Sequence, residues 1–159
     1  MIQLSKQADY GMVIMAYLAK NQTHGALSAS KIASATNISS PMTAKILKIL
    51  SQHKLVISTQ GNKGGYCLLK NAKDISLIEI LEALDNPVTL TECSTDDASS
   101  CNIHTECFIK PHWKVINQSV KQTLAKLMLY DLLKKSLILP QNSHDVESSM
   151  SLSKLPMSQ

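Results

Sequence analysis

The sequence predicts a mainly α-helical fold that carries one small β-hairpin, and two observations lead to this prediction. A short helical segment, a turn of about three residues and a longer helical segment follow one another within the first 53 residues. After these segments the apolar period changes from 3.6 to 2, and two short strands flank a segment with three glycines. A helix-turn-helix followed by a glycine-rich hairpin is the arrangement of a winged helix-turn-helix DNA-binding domain.

The first helix is predicted over residues 4–20, because Ser5 can cap it and apolar residues recur at helical spacing. These residues are Ala8, Met12, Met15, Ala16 and Ala19. A short helix is expected over residues 31–36, and a tight turn over 37–39.

The next helix starts with Ser40 as N-cap and Pro41 at the first helical position, where a missing N–H has no energetic cost. It extends to about His53. Its expected core contacts are Ile46 or Leu47, and Leu50.

The hairpin is predicted from strands at residues 55–59 and 66–69. The segment 60–65 between them supplies glycines for the tip and places Lys63 in its middle. This hairpin would form the wing.

Two further helices are predicted in the second half, over residues 74–84 and from Pro111 to about Leu133. The apolar residues of the long helix step by three and four: Trp113, Ile116, Val120, Leu124 and Leu127. One domain cannot easily bury the faces of so long a helix, which favours pairing with a second copy. The alternative is packing wholly within its own domain.

The expected organisation has four parts. Residues 1–85 form the DNA-binding domain and 86–110 a cysteine-containing loop. Residues 111–135 form the dimerisation helix, and 136–159, rich in Ser, Lys and Met without periodicity, form a disordered tail.

The net charge of +4 hides an asymmetry between the two halves. Residues 1–70 contain eight lysines and one acid, Asp9, for a net charge of +7. Residues 71–159 contain eight lysines and eleven acids, for a net charge of −3. A basic half of this size is typical of a protein that binds phosphates, and double-stranded DNA is the expected partner.

Every cation of the chain is lysine, so the planar fork with which arginine reads guanine is missing. Sequence recognition must then come from other polar side chains, apolar contacts or DNA shape. The candidate DNA-binding residues lie on the second helix of the helix-turn-helix and on the wing: Ser39, Ser40, Met42, Thr43, Lys45, Lys48, Gln60, Asn62 and Lys63.

Several classes are disfavoured. The N-terminus lacks a secretory pattern and no apolar run approaches a membrane span, so we expect a cytoplasmic protein without a membrane partner. Aromatic content of 4% argues against a single-strand binder. We find no phosphate-cradling glycine motif and no nucleophile–base pair, so an enzyme is not expected.

Three cysteines form the candidate metal site, with the spacing Cys93-x7-Cys101-x5-Cys107. In a reducing compartment, clustered thiols are metal ligands more often than disulfides. Neither gap is as short as the two to four residues typical of a zinc knuckle, which favours an iron–sulfur cluster, 2Fe–2S or 4Fe–4S. Structural zinc is the alternative.

Three thiolates leave one ligand position open. The candidates are His104, Glu106, His112 and, in a dimer, Asp9 from the other subunit. A fourth ligand with an oxygen or nitrogen donor is exchangeable, which suits a sensor better than an electron carrier. Cys67, on a wing strand, is expected to be a small apolar side chain of the core.

These residues resemble the IscR- and NsrR-type winged-helix transcription regulators that bind iron–sulfur clusters. The likeness covers roughly residues 1–133 and rests on several motifs, the three cysteines and the Trp113 helix. The motifs are LSKQADYG at 4–11, IASATNIS at 32–39, GNKGGY at 61–66 and ISLIEILEAL at 75–84. DYG at 9–11 and LTEC at 90–93 look most like the branch that regulates SUF-type cluster assembly.

The resemblance implies a homodimer that crosses through its long helices, with recognition helices in successive major grooves and wings at minor grooves. It also implies that Cys93, Cys101 and Cys107 ligate the cluster. An aspartate at the position of Asp9 completes the site from the other subunit in one branch. Another branch uses a histidine three residues beyond the last cysteine, where this chain has Lys110, so Asp9 is favoured and His112 is the alternative.

The wing departs from the family pattern as well. Members often carry an arginine just before the wing glycine, whereas this chain has Gln60. Reading of minor-groove shape should therefore be weaker here, with Lys63 as the compensating cation.

The expected function is a transcription regulator, a repressor, that responds to iron–sulfur cluster status and controls SUF-type assembly genes. The alternatives are a nitric-oxide or redox sensor of the same fold, and a winged-helix regulator with structural zinc.

Overall fold

The computed structural model describes residues 4–61, 64–85, 88–91 and 107–134. Its α-helices are α1 Lys6–Lys20, α2 Ala29–Thr36, α3 Ser40–Gln52, α4 Leu77–Asp85 and α5 Lys110–Lys126. Its strands are β1 Val56–Thr59 and β2 Gly65–Leu68. Short 3₁₀ helices occur at Gln22–His24, Ala72–Asp74 and Leu129–Leu133. This mostly helical fold with one two-stranded antiparallel sheet confirms the predicted fold class.

Hydroxyl caps determine where the first helices begin. Ser5 caps α1 as predicted, because its Oγ accepts a hydrogen bond from the Ala8 N–H at 3.1 Å. The second helix begins earlier than predicted, since Ser28 Oγ accepts from the Lys31 N–H at 3.2 Å and extends α2 back to Ala29. The N-cap of α3 is Ser39, one residue before the predicted Ser40.

Left-handed residues end both helices of the helix-turn-helix. Asn37 has φ 56° and Lys54 has φ 57°. Residues other than glycine and asparagine seldom adopt these left-handed values. After Lys54 the chain reverses, and the Leu55 N–H donates to the Leu50 carbonyl at 2.9 Å. The reversal directs Leu55, only 3% exposed, into the core and starts the hairpin.

The hairpin is joined to the helices by a third strand-like segment. In the sheet, Val56 pairs with Leu68 and Thr59 with Gly65. Leu27, just before α2, pairs with Tyr66 through hydrogen bonds of 2.8 and 2.9 Å. A Cβ at Gly65 would lie 2.5 Å from the Leu27 backbone, so glycine is required for this close approach.

The fourth helix begins later than predicted, because its cap is Ser76 and not Asp74. The Ser76 N–H donates to Glu79 Oε2 at 2.8 Å, and the Glu79 N–H donates to Ser76 Oγ at 3.4 Å, which together form a capping box. Burial alone would raise the pKa of Glu79. The hydrogen bonds from Ser76 and the nearby Lys70 ammonium outweigh this effect and hold that pKa below its usual value.

The predicted long helix to Leu133 is wrong, since α5 ends at Lys126. The chain beyond it becomes extended, and Met128 pairs with Ser76 in an antiparallel bridge. Leu127 and Leu129 are 6% and 0% exposed, so both side chains insert into the core of the first domain. The backbone pairing and the burial of two leucines outweigh the helical periodicity.

The first helix lies in the middle of the core. Ile14 and Met15 are completely buried, and α1 packs against α2, α3, α4, β2 and the Leu129–Leu133 segment. Gly11 permits the closest of these contacts, because a Cβ there would lie 2.2 Å from Cδ1 of Leu84. Leu84 is only 5% exposed, so its side chain has little room to move aside.

The segment with Cys93 and Cys101, and the tail at 136–159, lie outside the described residues, so the predicted loop and tail stay predictions. Within the described ranges no helix is long and apolar enough to cross a membrane.

Replacing Gly11 with Ala is expected to lower the free energy of unfolding by up to about 2 kcal/mol. Overpacking a core costs roughly 1–3 kcal/mol, and the better helix propensity of alanine offsets about 1 kcal/mol of that. Urea unfolding followed by circular dichroism measures the change.

The matched control is the same substitution in a Leu84→Ala background, where space for the new methyl group exists. There Gly11→Ala should be neutral or stabilising. If the two effects simply add, the contact between Gly11 and Leu84 does not limit the packing of α1 against α4.

Candidate nucleic-acid interface and cluster ligands

α3 has one buried face and one exposed face. Its completely buried side chains are Thr43, Ile46, Leu47 and Leu50. Its exposed side chains recur three, four and seven residues apart on the opposite side, so they share one face. We call this set the reading face; its members are Pro41, Ala44, Lys45, Lys48 and Gln52.

The burial pattern sorts the predicted DNA-binding residues of this helix. Lys45 and Lys48 are exposed on the reading face, and Ser39 and Ser40 are exposed at its N-terminal end. Met42 is half-buried and packs against the core, at the flank of the face.

The prediction that Thr43 binds DNA is wrong, because its side chain is 0% exposed and cannot contact DNA. Its Oγ donates toward the Ile38 carbonyl at 3.5 Å, inside the turn of the helix-turn-helix. The residue therefore stabilises the turn.

Sequence reasoning missed Pro41, Ala44 and Gln52 as members of the reading face. Ala44 was overlooked because it has no polar atom, and Gln52 because it lies at the end of the helix. The spacing of the apolar residues Ile46, Leu47 and Leu50 already contained this information, since it determines which side of the helix faces the core.

A shallow groove of about 440 Å³ lies beside the start of α3 and contains the turn. Its lining is rich in small polar side chains: Ser30, Ser34, Asn37, Ser39 and Ser40. Ser39 makes no side-chain cap hydrogen bond, so the first N–H groups of α3 lack a side-chain partner. Such a helix N-terminus can accept a phosphate oxygen of a nucleic acid backbone.

The wing is described only in part. Gln60 and Gly61 are exposed at the end of β1, whereas Asn62 and Lys63 lie outside the described residues. Their predicted contacts with DNA therefore stay predictions.

The two exposed lysines of α3 are not neutralised by carboxylates of the described residues. Within the described ranges, Lys45 and Lys48 form no ion pair, whereas Lys70, Lys121 and Lys134 pair with carboxylates at 3.5, 3.2 and 2.7 Å. The free lysines of α3 are therefore available to phosphates.

Of the three predicted cysteine ligands, the structure describes Cys107. Its thiol is half-buried and lies directly before α5, which begins at Lys110. His112 is exposed in the first turn of the same helix. The described residues bring together no group of three or more His, Cys, Asp or Glu side chains with metal-site geometry.

Asp9 lies in the first turn of α1, and its side chain is exposed. One turn further on the same face, Val13 is 43% exposed. Asp9 thus points away from its own core, beside one exposed apolar side chain.

The start of α1 is tied to the end of α4. The Ser5 N–H donates to Asp85 Oδ2 at 3.2 Å, and Gln7 Nε2 donates to the Leu84 carbonyl at 2.5 Å. Cys67 lies elsewhere, half-buried on β2 opposite Ile57, and none of the candidate ligands is on that strand.

Comparison with known proteins agrees with this geometry. The chain matches the Rrf2 family, described as iron-dependent transcriptional regulator, over residues 4–135. It is 25% identical over 141 residues to the HTH-type transcriptional regulator NsrR of Shouchella clausii (strain KSM-K16), a match that covers 89% of this chain and 91% of that protein.

Solved structures show the same fold. CymR (YrzC), the global cysteine regulator of B. subtilis, superposes with a TM-score of 0.67 at 29% identity, over 83% of this chain and 96% of that one. T. potens IscR superposes with a TM-score of 0.66 at 24% identity, over 83% and 86% of the two chains. The NsrR and CymR relatives are named as regulators, in agreement with the prediction that the protein is not an enzyme. Because the family match spans residues 4–135 of the 159, the chain belongs to the Rrf2 family of transcriptional regulators.

Proposed function

We propose that this protein is a homodimeric repressor that binds a double-stranded operator through α3 and responds to an iron–sulfur cluster. The ligands are Cys93, Cys101 and Cys107 of one subunit and Asp9 of the partner subunit. One observation carries the proposal: Cys107 lies three residues before the start of α5, the helix that presents an apolar face to solvent. One candidate ligand therefore lies next to the candidate dimer surface.

The proposed dimer surface consists of apolar side chains that are exposed to solvent at the start of α5. Phe108, Val115 and Ile116 are 86%, 66% and 44% exposed, and a hollow of about 370 Å³ lies beside Pro111, His112 and the last two. The face of α5 turned toward its own domain is different, since Asn117 there is 7% exposed and accepts from the Leu90 N–H at 3.2 Å. A contiguous apolar patch of this kind on a regulator that reads paired half-sites fits a second copy of the chain.

The donor set fits a cluster. Thiolates are soft ligands that suit iron–sulfur clusters, and a carboxylate in the fourth position is a weaker, exchangeable ligand. When bound, the cluster would supply a breakable connection between the cysteine loop of one subunit and α1 of the other.

The residues of α1 can pass such a restraint to the DNA-binding surface. Asp9 is on the exposed side of α1, while Ile14 and Met15 on its other side are buried in the core against which α2 and α3 also pack. Packed interiors transmit displacement and do not absorb it. A coupling of about 1–3 kcal/mol between ligand and DNA is typical of such regulators.

We further propose SUF-type assembly genes as the target, supported by the likeness of residues 9–11 and 90–93 to that branch. CymR, the global cysteine regulator of B. subtilis, has the same fold, so the fold alone does not determine the effector, and we assign the effector to the cysteine loop. An anaerobic absorbance spectrum with iron and sulfide counts separates a cluster from zinc. Bleaching by nitric oxide or by an oxidant separates the sensor types.

The dimer surface is tested by Val115→Glu, which should convert the protein to a monomer because a buried, unpaired carboxylate is strongly unfavourable. Light scattering coupled to size exclusion measures the mass. Ile57→Glu is the matched control, since Ile57 is 43% exposed on β1 and away from α5, and it should leave the dimer intact. A dimer that persists in Val115→Glu would place the interface elsewhere.

The cysteine ligands are tested by replacing Cys107 with Ala in anaerobically purified protein. We expect loss of visible absorbance and of acid-labile sulfide, because two thiolates hold a cluster poorly. Cys67→Ala removes a thiol outside the ligand set and should leave the spectrum unchanged. A spectrum retained in Cys107→Ala would remove this cysteine from the site.

The fourth ligand is tested with mixed dimers of differently tagged subunits. A dimer of one Asp9→Ala subunit and one Cys101→Ala subunit keeps one complete site if Asp9 acts across the interface. A dimer of one wild-type subunit and one subunit with both substitutions then keeps none.

The measured quantity is the iron that remains bound after treatment with a chelator. The dimer of one Asp9→Ala subunit and one Cys101→Ala subunit should keep about half the wild-type amount, and the other mixed dimer should keep none. The reverse pattern would mean that Asp9 acts within its own subunit. If both mixed dimers keep about half of the iron, as a dimer with a single Cys101→Ala subunit would, Asp9 is excluded as a ligand and His112 is favoured.

A further inference from the structure

The chemistry of the reading face restricts the DNA sequence that it can recognise. α3 contains no acidic side chain, so no carboxylate is available to accept from the cytosine amino group. The whole chain lacks arginine, the commonest bidentate reader of guanine. On this helix cytosine therefore has no carboxylate partner, and guanine could be bound only by the ammonium groups of Lys45 and Lys48.

The N-terminal half of the face is apolar. Pro41 and Ala44 are both exposed and lie three residues apart, so their side chains are neighbours on the helix surface. Recognition helices contact base edges mainly with their N-terminal residues. In the major groove the only apolar group that distinguishes one base from another is the C5-methyl of thymine.

Lys45 and Lys48 follow Ala44 by one and four residues, so both lie on the C-terminal side of this apolar spot, and they form no ion pair within the described residues. A lysine ammonium is a compact point charge that neutralises phosphates well. The two lysines thus suit the phosphate backbone, which leaves Pro41 and Ala44 to face the bases at the N-terminal end of the helix.

We infer that Ala44 and Pro41 contact thymine methyl groups and make thymine the specified base opposite the N-terminal half of α3. This inference rests on the proposed use of α3 for DNA recognition and adds the chemical group that it recognises.

The test starts from sites selected by the full-length protein from a random duplex pool. Each recovered site is remade with deoxyuridine for thymidine, one position at a time, which removes a methyl group and keeps base pairing. At one position in each half-site we expect binding to weaken about fourfold per methyl, and roughly fifteenfold when both half-sites are changed. Replacement of guanine by 7-deazaguanine at any position should change affinity less than twofold.

Ala44→Ser should abolish the difference between thymine and uracil at that position, because the apolar contact is gone. Ala35→Ser is the matched control, since Ala35 is exposed on α2 outside the reading face, and it should keep the difference. Lys45→Ala and Lys48→Ala should weaken all sites alike, and each should reduce the slope of log affinity against log salt by about 1.8, because each removes one phosphate contact from both half-sites of the dimer.

The outcomes separate this inference from the proposal beneath it. Failure to select any DNA would overturn both. Tight binding that is insensitive to uracil, or a thymine preference that survives Ala44→Ser, would overturn the methyl contact alone. Strong sensitivity to 7-deazaguanine would do the same, by assigning the recognition to the lysines. None of these last three results affects the cluster ligands or the dimer.

Discussion

The close packing of α1 against α4 is the contact on which the rest of the structure depends. Gly11 lets the two helices approach until the Leu84 side chain fills the space where a Cβ would be. Hydrogen bonds from Ser5 and Gln7 to the end of α4 fix the same junction. With α1 held there, Ile14 and Met15 reach the centre of the core, where α2, α3 and the returning chain after α5 also pack.

This position gives α1 two roles at once. Its inner face supports the helix-turn-helix, and its outer face presents Asp9 beside the exposed Val13. A ligand bond at Asp9 would therefore act on a helix that is rigidly connected to the reading face. If the connection ran through a loop, the same bond would be absorbed locally, because loops deform at little cost.

The return of the chain after α5 joins this helix, which carries the proposed dimer surface, to the core that supports the helix-turn-helix. Leu127 and Leu129 are buried in that domain, and Met128 pairs with Ser76, the cap of α4. The Lys121–Glu82 ion pair at 3.2 Å adds a further contact between α4 and α5. α5 is thus anchored at its C-terminal end and exposes apolar side chains at its N-terminal end, next to Cys107. Any rearrangement of the two subunits would move the DNA-binding domains with the helices.

The sequence by itself determined the fold class, the helix-turn-helix, the hairpin and the residue types of the candidate site. These features depend on local chemistry: hydroxyl caps such as Ser5, the glycines of the hairpin, and the apolar period within each segment. Local chemistry also explains the small errors at Ser28 and Ser76, whose hydroxyl groups accept the capping hydrogen bonds. Only the tertiary structure decided that α5 stops at Lys126 and that Leu127 and Leu129 enter the core. Those outcomes depend on contacts between residues distant in the chain, such as Met128 with Ser76, and a periodic pattern within one segment contains no information about its partner.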